Sequence, residues 1–254
     1  MNLGLEGKVV VVTGASRGIG REIAIAFSRE GARVAAVART GSDLQDTVDQ
    51  MNAEGRAAAV ECDVTDVDQV VEMVDQVTEV LGNVDVLVNN AGQRQDFARV
   101  VEIDIGEWRR VIEATLSSVF YVSQSVSRRM IERRTGSIVN IASIAGPVAF
   151  GRMAAYCAAK SGVIALTKVM ATDWAEFGIR VNSIAPGWIE SPMNVELRTD
   201  PDNRELLESI KAQTLMGRFG ATTDIANAAL YLAGETASYV TGETLTVDGG
   251  WLTV

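Results

Sequence analysis

Short apolar runs rich in β-branched residues alternate along this chain with longer segments whose apolar residues recur at helical spacing. Most of the short runs are continuously apolar, which is typical of strands buried on both faces of a parallel sheet. The alternation predicts an α/β fold, with a doubly wound sheet of about seven parallel strands and helices on both faces. The predicted strands cover residues 8–13, 33–38, 57–61, 84–88, 137–141, 180–184 and 244–247.

Helical patterns fill the intervals between these runs. The second helix is predicted to open at Ser42, because Ser42 and Gln45 have the spacing of a capping box. No linker rich in proline, glycine or serine divides the 254 residues, so we expect a single domain over residues 1–254. The predicted helices start at Ile19 and Ser42 or cover residues 66–81, 107–134, 153–177, 204–213 and 223–233.

The chain contains no histidine, which excludes Ser-His-Asp and Cys-His catalytic pairs and any His-ligated metal centre. Proton transfer is therefore left to aspartate, glutamate, tyrosine, lysine or cysteine. Two cysteines, Cys62 and Cys157, are too few for a Cys-rich metal cage and imply no disulfide framework. We expect no metal site.

The charge balance is acidic: 23 lysines and arginines stand against 33 aspartates and glutamates, a net charge of −10. Such a chain without a long basic run is a poor nucleic-acid binder. No apolar stretch reaches the roughly 18 residues of a transmembrane helix, and glycines and an arginine interrupt the N-terminal apolar run. We expect a cytoplasmic protein without nucleic-acid or membrane partners.

A glycine-rich loop, Thr-Gly-Ala-Ser-Arg-Gly-Ile-Gly at residues 13–20, joins the first predicted strand to a helix. Its glycines permit a tight turn and let backbone N–H groups approach a pyrophosphate, while the helix N-terminus adds partial positive charge. No Gly-Lys-Ser/Thr follows, so the loop is not a P-loop. The pattern favours dinucleotide binding through Gly14, Ser16, Arg17, Gly18, Ile19 and Gly20.

Further motifs accompany this loop in the order and spacing of one family. The chain resembles the short-chain dehydrogenases/reductases over nearly its whole length, and its closest subgroup is the 3-oxoacyl-carrier-protein reductases. The resemblance implies a Rossmann-type sheet, a nicotinamide cofactor and a homotetramer. It rests on residues 13–20, Asn89-Asn90-Ala91-Gly92, Ser143, Tyr156-Cys-Ala-Ala-Lys160, Pro186-Gly187 and residues 239–250.

Tyr156 and Lys160 are four residues apart on a predicted helix and therefore share one face. A pair of this kind alone is often just an amphipathic helix face, but here the family motifs surround it. A lysine ammonium about 5 Å away, at an effective dielectric constant of about 20, stabilises a phenolate by roughly 3 kcal/mol. We therefore expect the pKa of Tyr156 to be lowered by about 2.4 units from about 10. By resemblance, Ser143, Tyr156 and Lys160 are the catalytic residues, and Ser143 hydrogen-bonds the substrate oxygen.

One catalytic position departs from the family. Residues 115–120 read Thr-Leu-Ser-Ser-Val-Phe, where the family has an asparagine first. That asparagine helps to hold a water between the lysine and solvent, partly through its backbone carbonyl. Thr115 keeps the carbonyl but lacks the amide, so it replaces the fourth catalytic member and activity is still expected.

The end of the second strand indicates which dinucleotide binds. An NAD enzyme typically has a carboxylate there for the ribose 2′-hydroxyl, but this chain has Ala38 followed by Arg39. Arg39 can pair bidentately with a 2′-phosphate, and Arg17 adds a second cation. We predict a preference for NADP(H), with NAD(H) as the alternative.

The resemblance assigns the other cofactor contacts. Asp63 matches a residue whose carboxylate accepts from the adenine amine, although a turn or N-cap role also explains it. Ile189 matches a residue whose backbone N–H meets the carboxamide. The full set is Asp63, Val64, Asn89, Ala91, Pro186, Gly187, Ile189 and Ser191, together with Tyr156 and Lys160.

The expected substrate cleft is largely apolar, which suits a cyclic ketone or a modest acyl chain. We predict hydride transfer between the nicotinamide and a ketone or secondary alcohol of a small molecule. The expected lining is Gln93, Arg94, Ile144, Val148, Phe150, Met153 and Trp188, with a substrate-loop segment near residues 188–216.

Two alternatives remain open. A 3-oxoacyl-carrier-protein reductase would dock an acidic carrier through basic residues. Arg134 fits one docking position, but Phe177 stands where a second arginine is expected before Gly178. The other alternative is a sensor or scaffold that binds dinucleotide without turnover, which the intact serine, tyrosine and lysine argue against and Thr115 favours.

Overall fold

The computed structural model describes residues 2–51 and 56–253. In this part of the chain seven parallel strands form one sheet in the order β3-β2-β1-β4-β5-β6-β7. The strands are β1 (Val9–Thr13), β2 (Arg33–Ala38), β3 (Ala57–Glu61), β4 (Val86–Asn89), β5 (Gly136–Ile141), β6 (Ile179–Pro186) and β7 (Thr244–Val247). The predicted α/β, Rossmann-type doubly wound sheet is confirmed.

Helices cover both faces of this sheet. Alternate residues of β1 illustrate the arrangement, since Val10 and Val12 belong to one buried cluster while Val9 and Val11 belong to the other. The helices are α1 (Gly18–Arg29), α2 (Gly41–Met51), α3 (Val67–Leu81), α4 (Ile105–Ile112), α5 (Ser118–Arg133), α6 (Ala154–Trp174), α7 (Val195–Thr199), α8 (Arg204–Gln213) and α9 (Thr222–Ala233). The first cluster packs under α1, α2 and α9, and the second under α3, α5 and α6.

The helix starts lie within two residues of their predicted positions, and the differences at α2 and α4 are informative. Helix α2 begins at Gly41, so Ser42 lies inside it, and Gln45 donates to Asp49 one turn later instead of closing a capping box. The predicted helix 107–134 begins earlier, at Ile105, because the Asp104 carboxylate caps it by accepting from Glu107 N–H. The predicted helix is also divided into α4 and α5 by a π-helical segment, Glu113–Ser117.

The strand register brings several loops to one edge of the sheet. Val12 lies beside Val88, Asn89 beside Asn140, and Ile141 beside Ile184. The carboxyl ends of β1, β4, β5 and β6 therefore meet, which is where open α/β sheets bind ligands.

Among the described residues, no helix is long and apolar enough to cross a membrane.

Candidate active site

The glycine loop is shaped by close approach. Gly14 and Gly18 have φ of 64° and 58°, which disfavour residues with a Cβ. A Cβ on Gly20 would collide with the Gly14 carbonyl oxygen and the Asn90 amide. The start of α1 thus lies directly against the loop, with its N-terminal N–H groups at the sheet edge. This cradle fits the pyrophosphate of a dinucleotide.

Asn90 ties the loop to the end of β4. Its side-chain nitrogen donates to the Thr13 carbonyl at 3.0 Å and the Gly14 carbonyl at 3.1 Å. In return, the Thr13 hydroxyl accepts from the N–H groups of Asn90 at 3.0 Å and Ala91 at 3.1 Å. Sequence analysis did not single out Asn90, although it belongs to the quoted Asn-Asn-Ala-Gly motif.

Asn89, which was predicted to bind cofactor, has its side chain in the interior. It is 2% exposed, and its amide nitrogen donates to Ser123 at 2.8 Å and to Asn140 at 2.9 Å. Asn140 in turn donates to Thr167 at 2.9 Å. The side chain of Asn89 is therefore engaged in a buried polar network that joins β4, β5, α5 and α6.

The predicted adenosine end lies at the tips of β2 and β3. Arg17 and Arg39 are both exposed, and neither forms an ion pair within the described residues. The Asp63 carboxylate accepts from the N–H and hydroxyl of Thr65 at 3.0 and 2.8 Å, so one of its oxygens has a turn role. Val64 is buried beside it.

One pocket at the sheet edge brings together most of the predicted catalytic and substrate residues. The residues that were predicted from the sequence and that line this pocket are Ile19, Arg94, Ser143, Ile144, Phe150, Met153, Tyr156, Lys160, Pro186, Gly187, Trp188, Ile189 and Ser191. Gln93 and Val148 are not among the lining residues. The lining residues that were not predicted individually are Asn90, Gly92, Phe97, Ile141, Ala142, Ala145, Met193, Asn194 and Leu197.

Lys160 is a buried cation with one defined partner. It is 5% exposed, and its Nζ donates to the Ile141 carbonyl at 2.6 Å. Nζ also lies 5.7 Å from the centroid of the Tyr156 ring. Burial disfavours the ammonium and lowers the pKa of Lys160 to about 8.

The expectation for the pKa of Tyr156 was wrong in direction. Burial raises this pKa above 10.0, and the Ser143 hydroxyl opposes the rise only in part. The lysine that was expected to lower it is directed at the Ile141 carbonyl. The Tyr156 hydroxyl is therefore held in its protonated form, as a proton donor requires.

Thr115 lies in the π-helical segment and is fully buried. Its hydroxyl accepts from Gln93 N–H at 3.0 Å and donates to the Gln93 carbonyl at 3.5 Å. A Cβ on Gly92 would lie 3.7 Å from both Thr115 Oγ1 and Lys160 Nζ. Thr115 thus fixes the loop after β4 immediately beside the lysine.

Gln95 caps the helix that carries Tyr156, a role that sequence analysis missed. Its side chain is fully buried, and its oxygen accepts from Ala155 N–H at 2.8 Å and Tyr156 N–H at 3.1 Å. Its nitrogen donates to the carbonyl of Arg152, which has a left-handed φ of 66°. Met153, at the N-cap, supplies no capping side chain, and that deficit was visible in the sequence.

Aromatic side chains form one wall of the pocket. Phe150 stacks on Trp251 with ring centroids 5.3 Å apart. It meets Trp188 edge to face, with ring centroids 6.3 Å apart. Trp251 follows β7 and was not predicted to support this site.

Arg134 and Phe177, the two positions weighed for carrier docking, contact each other. The Arg134 guanidinium lies 5.7 Å from the centroid of the Phe177 ring and donates to the Glu176 carbonyl. Among the described residues, no group of three or more Cys, Asp or Glu side chains is arranged to hold a metal ion.

Comparisons with known proteins agree with this geometry. A family model described as enoyl-(acyl carrier protein) reductase matches residues 14–252. The chain is 40% identical over 248 residues to the 3-oxoacyl-[acyl-carrier-protein] reductase FabG of Escherichia coli, covering 98% of each chain. It is 41% identical over 245 residues to FabG of Staphylococcus aureus, covering 96% of this chain and 97% of the relative.

Solved structures give the same picture. An actinorhodin polyketide ketoreductase with NADPH superposes with a TM-score of 0.91 at 38% identity, covering 96% of this chain and 97% of the other. A gluconate 5-dehydrogenase from Burkholderia cenocepacia, in complex with NADP and tartrate, superposes with a TM-score of 0.92 at 34% identity. That match covers 98% of this chain and 96% of the other.

Gln95→Met tests the cap on α6. We expect the free energy of unfolding to fall by about 2 to 3 kcal/mol, because one buried and one partly buried N–H group lose their acceptor. The kcat should fall more than the affinity for NADPH, since Tyr156 loses an anchor. Gln95→Glu keeps an acceptor oxygen for the two N–H groups but loses the donor to the Arg152 carbonyl, so it should lose less of both than Gln95→Met. The control Gln45→Met loses only an exposed bond to Asp49, and an equal loss in the control would contradict the cap.

The pKa of Lys160 gives a stability prediction. Between the folded pKa of about 8 and the ordinary lysine pKa of 10.5, the unfolded chain holds a proton that the folded chain has lost. Stability therefore rises with pH in this window. From pH 7 to pH 10, the free energy of unfolding of the wild type should rise by about 2 to 3 kcal/mol relative to Lys160→Met. Urea unfolding of both proteins at pH 7 and pH 10, at one protein concentration, measures this. A difference in free energy between the two proteins that stays constant with pH would refute the burial of a charged lysine.

Proposed function

The chain belongs to the short-chain dehydrogenase/reductase family of oxidoreductases, and we propose that it transfers a hydride between NADP(H) and a ketone or secondary alcohol of a small molecule. The observation that carries this proposal is one pocket at the sheet edge containing Ser143, Tyr156 and Lys160. The same pocket is lined by Pro186, the last residue of β6, and by Ile189 just beyond it, and the family resemblance assigns both to the nicotinamide.

The cofactor side of the proposal is supported by the glycine cradle and by two arginines. Gly20 has no room for a Cβ, and Gly14 and Gly18 have the left-handed backbone of a tight phosphate turn. Arg17 and Arg39 are exposed near the end of β2, where Ala38 presents no carboxylate to repel a 2′-phosphate. When bound, NADPH supplies the hydride that reduces the carbonyl carbon.

Proton transfer is assigned to the side chains of the pocket. The Ser143 hydroxyl donates a hydrogen bond to the carbonyl oxygen as negative charge develops on it. The Tyr156 hydroxyl, whose pKa is raised by burial, is protonated at neutral pH and gives its proton to that oxygen. The ammonium of Lys160, 5.7 Å from the tyrosine ring, then stabilises the phenolate that remains.

Reprotonation of the tyrosine needs a route to solvent. The hydroxyl of Thr115 is occupied by the main chain of Gln93, so the residue serves to position the loop beside Lys160. Its backbone carbonyl remains the group that we assign to the water of the proton relay. Thr115 is thus a positioning residue in this mechanism.

Reduction of 3-oxoacyl groups on an acyl carrier protein is the second candidate. Two curated relatives at 40% and 41% identity carry that name. Arg134, the cation considered for docking, packs over Phe177, the residue that stands where the second docking arginine was expected. We therefore rank a free small molecule first. A sensor or scaffold that binds dinucleotide without turnover ranks last, because the three catalytic side chains share one pocket.

Assembly and location are further parts of the proposal. We infer a homotetramer, supported by large apolar side chains on α4 and before it that are at least half exposed, such as Ile105 at 63% and Val101 at 91%. Light scattering at micromolar concentration measures the assembly, and a monomer would contradict it.

A cytoplasmic location without nucleic-acid or membrane partners stays a prediction from the acidic composition.

Cofactor preference follows from the tip of β2. The dissociation constant for NADPH should be at least about tenfold below that for NADH, equivalent to about 1.4 kcal/mol. The double change Ala38→Asp and Arg39→Ser should reverse the preference, because the new carboxylate repels a 2′-phosphate and accepts from a 2′-hydroxyl. Fluorescence titration of both cofactors measures this, with Arg29→Gln on α1 as control. Equal affinities in the wild type would overturn the assignment.

Tyr156→Phe tests the chemistry. The change removes one hydroxyl, so the fold and NADPH binding should persist while kcat falls by about 10²- to 10⁴-fold. The matched control is Tyr239→Phe, since Tyr239 is fully exposed. Activity of Tyr156→Phe within about threefold of wild type would show that another group donates the proton. A wild type that binds NADPH but reduces no ketone of a broad panel would favour the sensor.

A further inference from the structure

We propose that Arg94 binds a carboxylate of the substrate, so that the substrate is an oxo acid. This inference rests on the proposed function and deepens it by naming the substrate class. Arg94 lies in the loop after β4, two residues beyond Gly92, and its side chain lines the pocket that contains Ser143 and Tyr156.

The charge of the pocket supports an anionic ligand. Within the part of the chain that the structure describes, Arg94 and Lys160 are the charged residues lining this pocket, and both are cations. The protein as a whole carries a net charge of −10, so a pocket wall without any carboxylate departs from the general surface. A pocket that concentrates positive charge attracts anions and disfavours cations.

Lys160 is not the group that would bind this anion. It is 5% exposed, and its ammonium is committed to the Ile141 carbonyl at 2.6 Å. The Arg94 side chain is 41% exposed, so its guanidinium is open to a ligand entering from solvent. The planar fork of an arginine matches the two oxygens of a carboxylate.

A carboxylate of the protein already contacts this guanidinium. Glu196 on α7 places Oε2 at 3.4 Å from Arg94 Nη2, and Nη1 donates to the Met193 carbonyl at 3.4 Å. Both contacts are near the long limit of a hydrogen bond, and the Glu196 side chain is 81% exposed. An exposed pair of this kind is weak, so a substrate carboxylate can take the place of Glu196.

The remainder of the pocket defines the body of the ligand. Apart from Arg94 and the catalytic groups, the lining of the pocket is mostly apolar, with Phe97, Phe150, Met153 and Leu197 contributing. A carbonyl at Ser143 and Tyr156 and a carboxylate at Arg94 would therefore be joined by an apolar segment. Burial of that segment provides affinity, and the arginine fixes which end enters first.

The test measures binding to the enzyme–NADP⁺ complex, in which a ketone cannot be reduced. The probes are 5-oxohexanoate and its neutral analogue 5-oxohexanamide, titrated by calorimetry at low salt. We expect the wild type to bind the carboxylate at least about fivefold more tightly than the amide, through charge-assisted hydrogen bonds. The preference should shrink as salt is raised, because the arginine is partly exposed.

Variants assign the preference to one side chain. Arg94→Gln should abolish it, and Arg94→Lys should retain part of it. Glu196→Gln should tighten carboxylate binding by about two- to fivefold, because an exposed intramolecular competitor is removed. The control Arg29→Gln disrupts an exposed ion pair with Glu22 on α1 and should leave the preference as in the wild type.

Three results would overturn the assignment. These are equal affinity for the two probes, a preference that survives Arg94→Gln, or no measurable binding of 5-oxohexanoate. A 4′-phosphopantetheine thioester carries the same sign of charge, so 3-oxobutanoyl pantetheine with and without its phosphate forms a second arm. If only the phosphorylated thioester is bound more tightly than its neutral analogue, the group that Arg94 binds is a phosphate and the carboxylate assignment is wrong. Failure of the proposed function appears separately, as undiminished kcat in Tyr156→Phe.

Discussion

The reciprocal hydrogen bonds between Thr13 and Asn90 are the contact on which the site depends. They join the ends of β1 and β4, so that the glycine loop and the loop after β4 leave the sheet as one unit. The second of these loops then carries two further anchors. Thr115 holds Gln93 beside the lysine, and Gln95 holds the first turn of the helix that bears Tyr156. A side-chain network thus connects the dinucleotide cradle to the proton donor.

The catalytic groups are arranged at a cost in stability. Lys160 is buried with a single carbonyl as its defined partner, and burial opposes its charge. A side chain of this kind is poorly suited to a core and well suited to a site that needs a cation close to a phenolate. The buried amide nitrogens of Asn89 and Asn140, in contrast, each have a side-chain acceptor and support the strands from within.

The sequence predicted the sheet well, because continuous apolar runs and helical periodicity are local properties. β2, β3 and β7 have the predicted bounds, and Asp66 caps α3. Family motifs similarly brought Ser143, Tyr156 and Lys160 together. The failures were tertiary. The hydrogen bond from Lys160 to the Ile141 carbonyl, and the cap that Gln95 supplies from a distant loop, depend on contacts that no local pattern encodes. The capping box predicted at Ser42 is absent because the Gln45 side chain bonds to Asp49 within the helix, which begins at Gly41.

The stacking of Phe150 on Trp251 has a consequence for folding. Phe150 follows β5 and Trp251 follows β7, so their contact forms only after two more parallel strands have joined the sheet. Contacts between residues distant along the chain require loop closure before they contribute stability, which makes parallel sheets slow to assemble. The aromatic wall should therefore become ordered late in folding, after the β1–α1 unit that forms the dinucleotide cradle. On this order of folding, the surface that holds the cofactor forms before the wall that contacts the substrate.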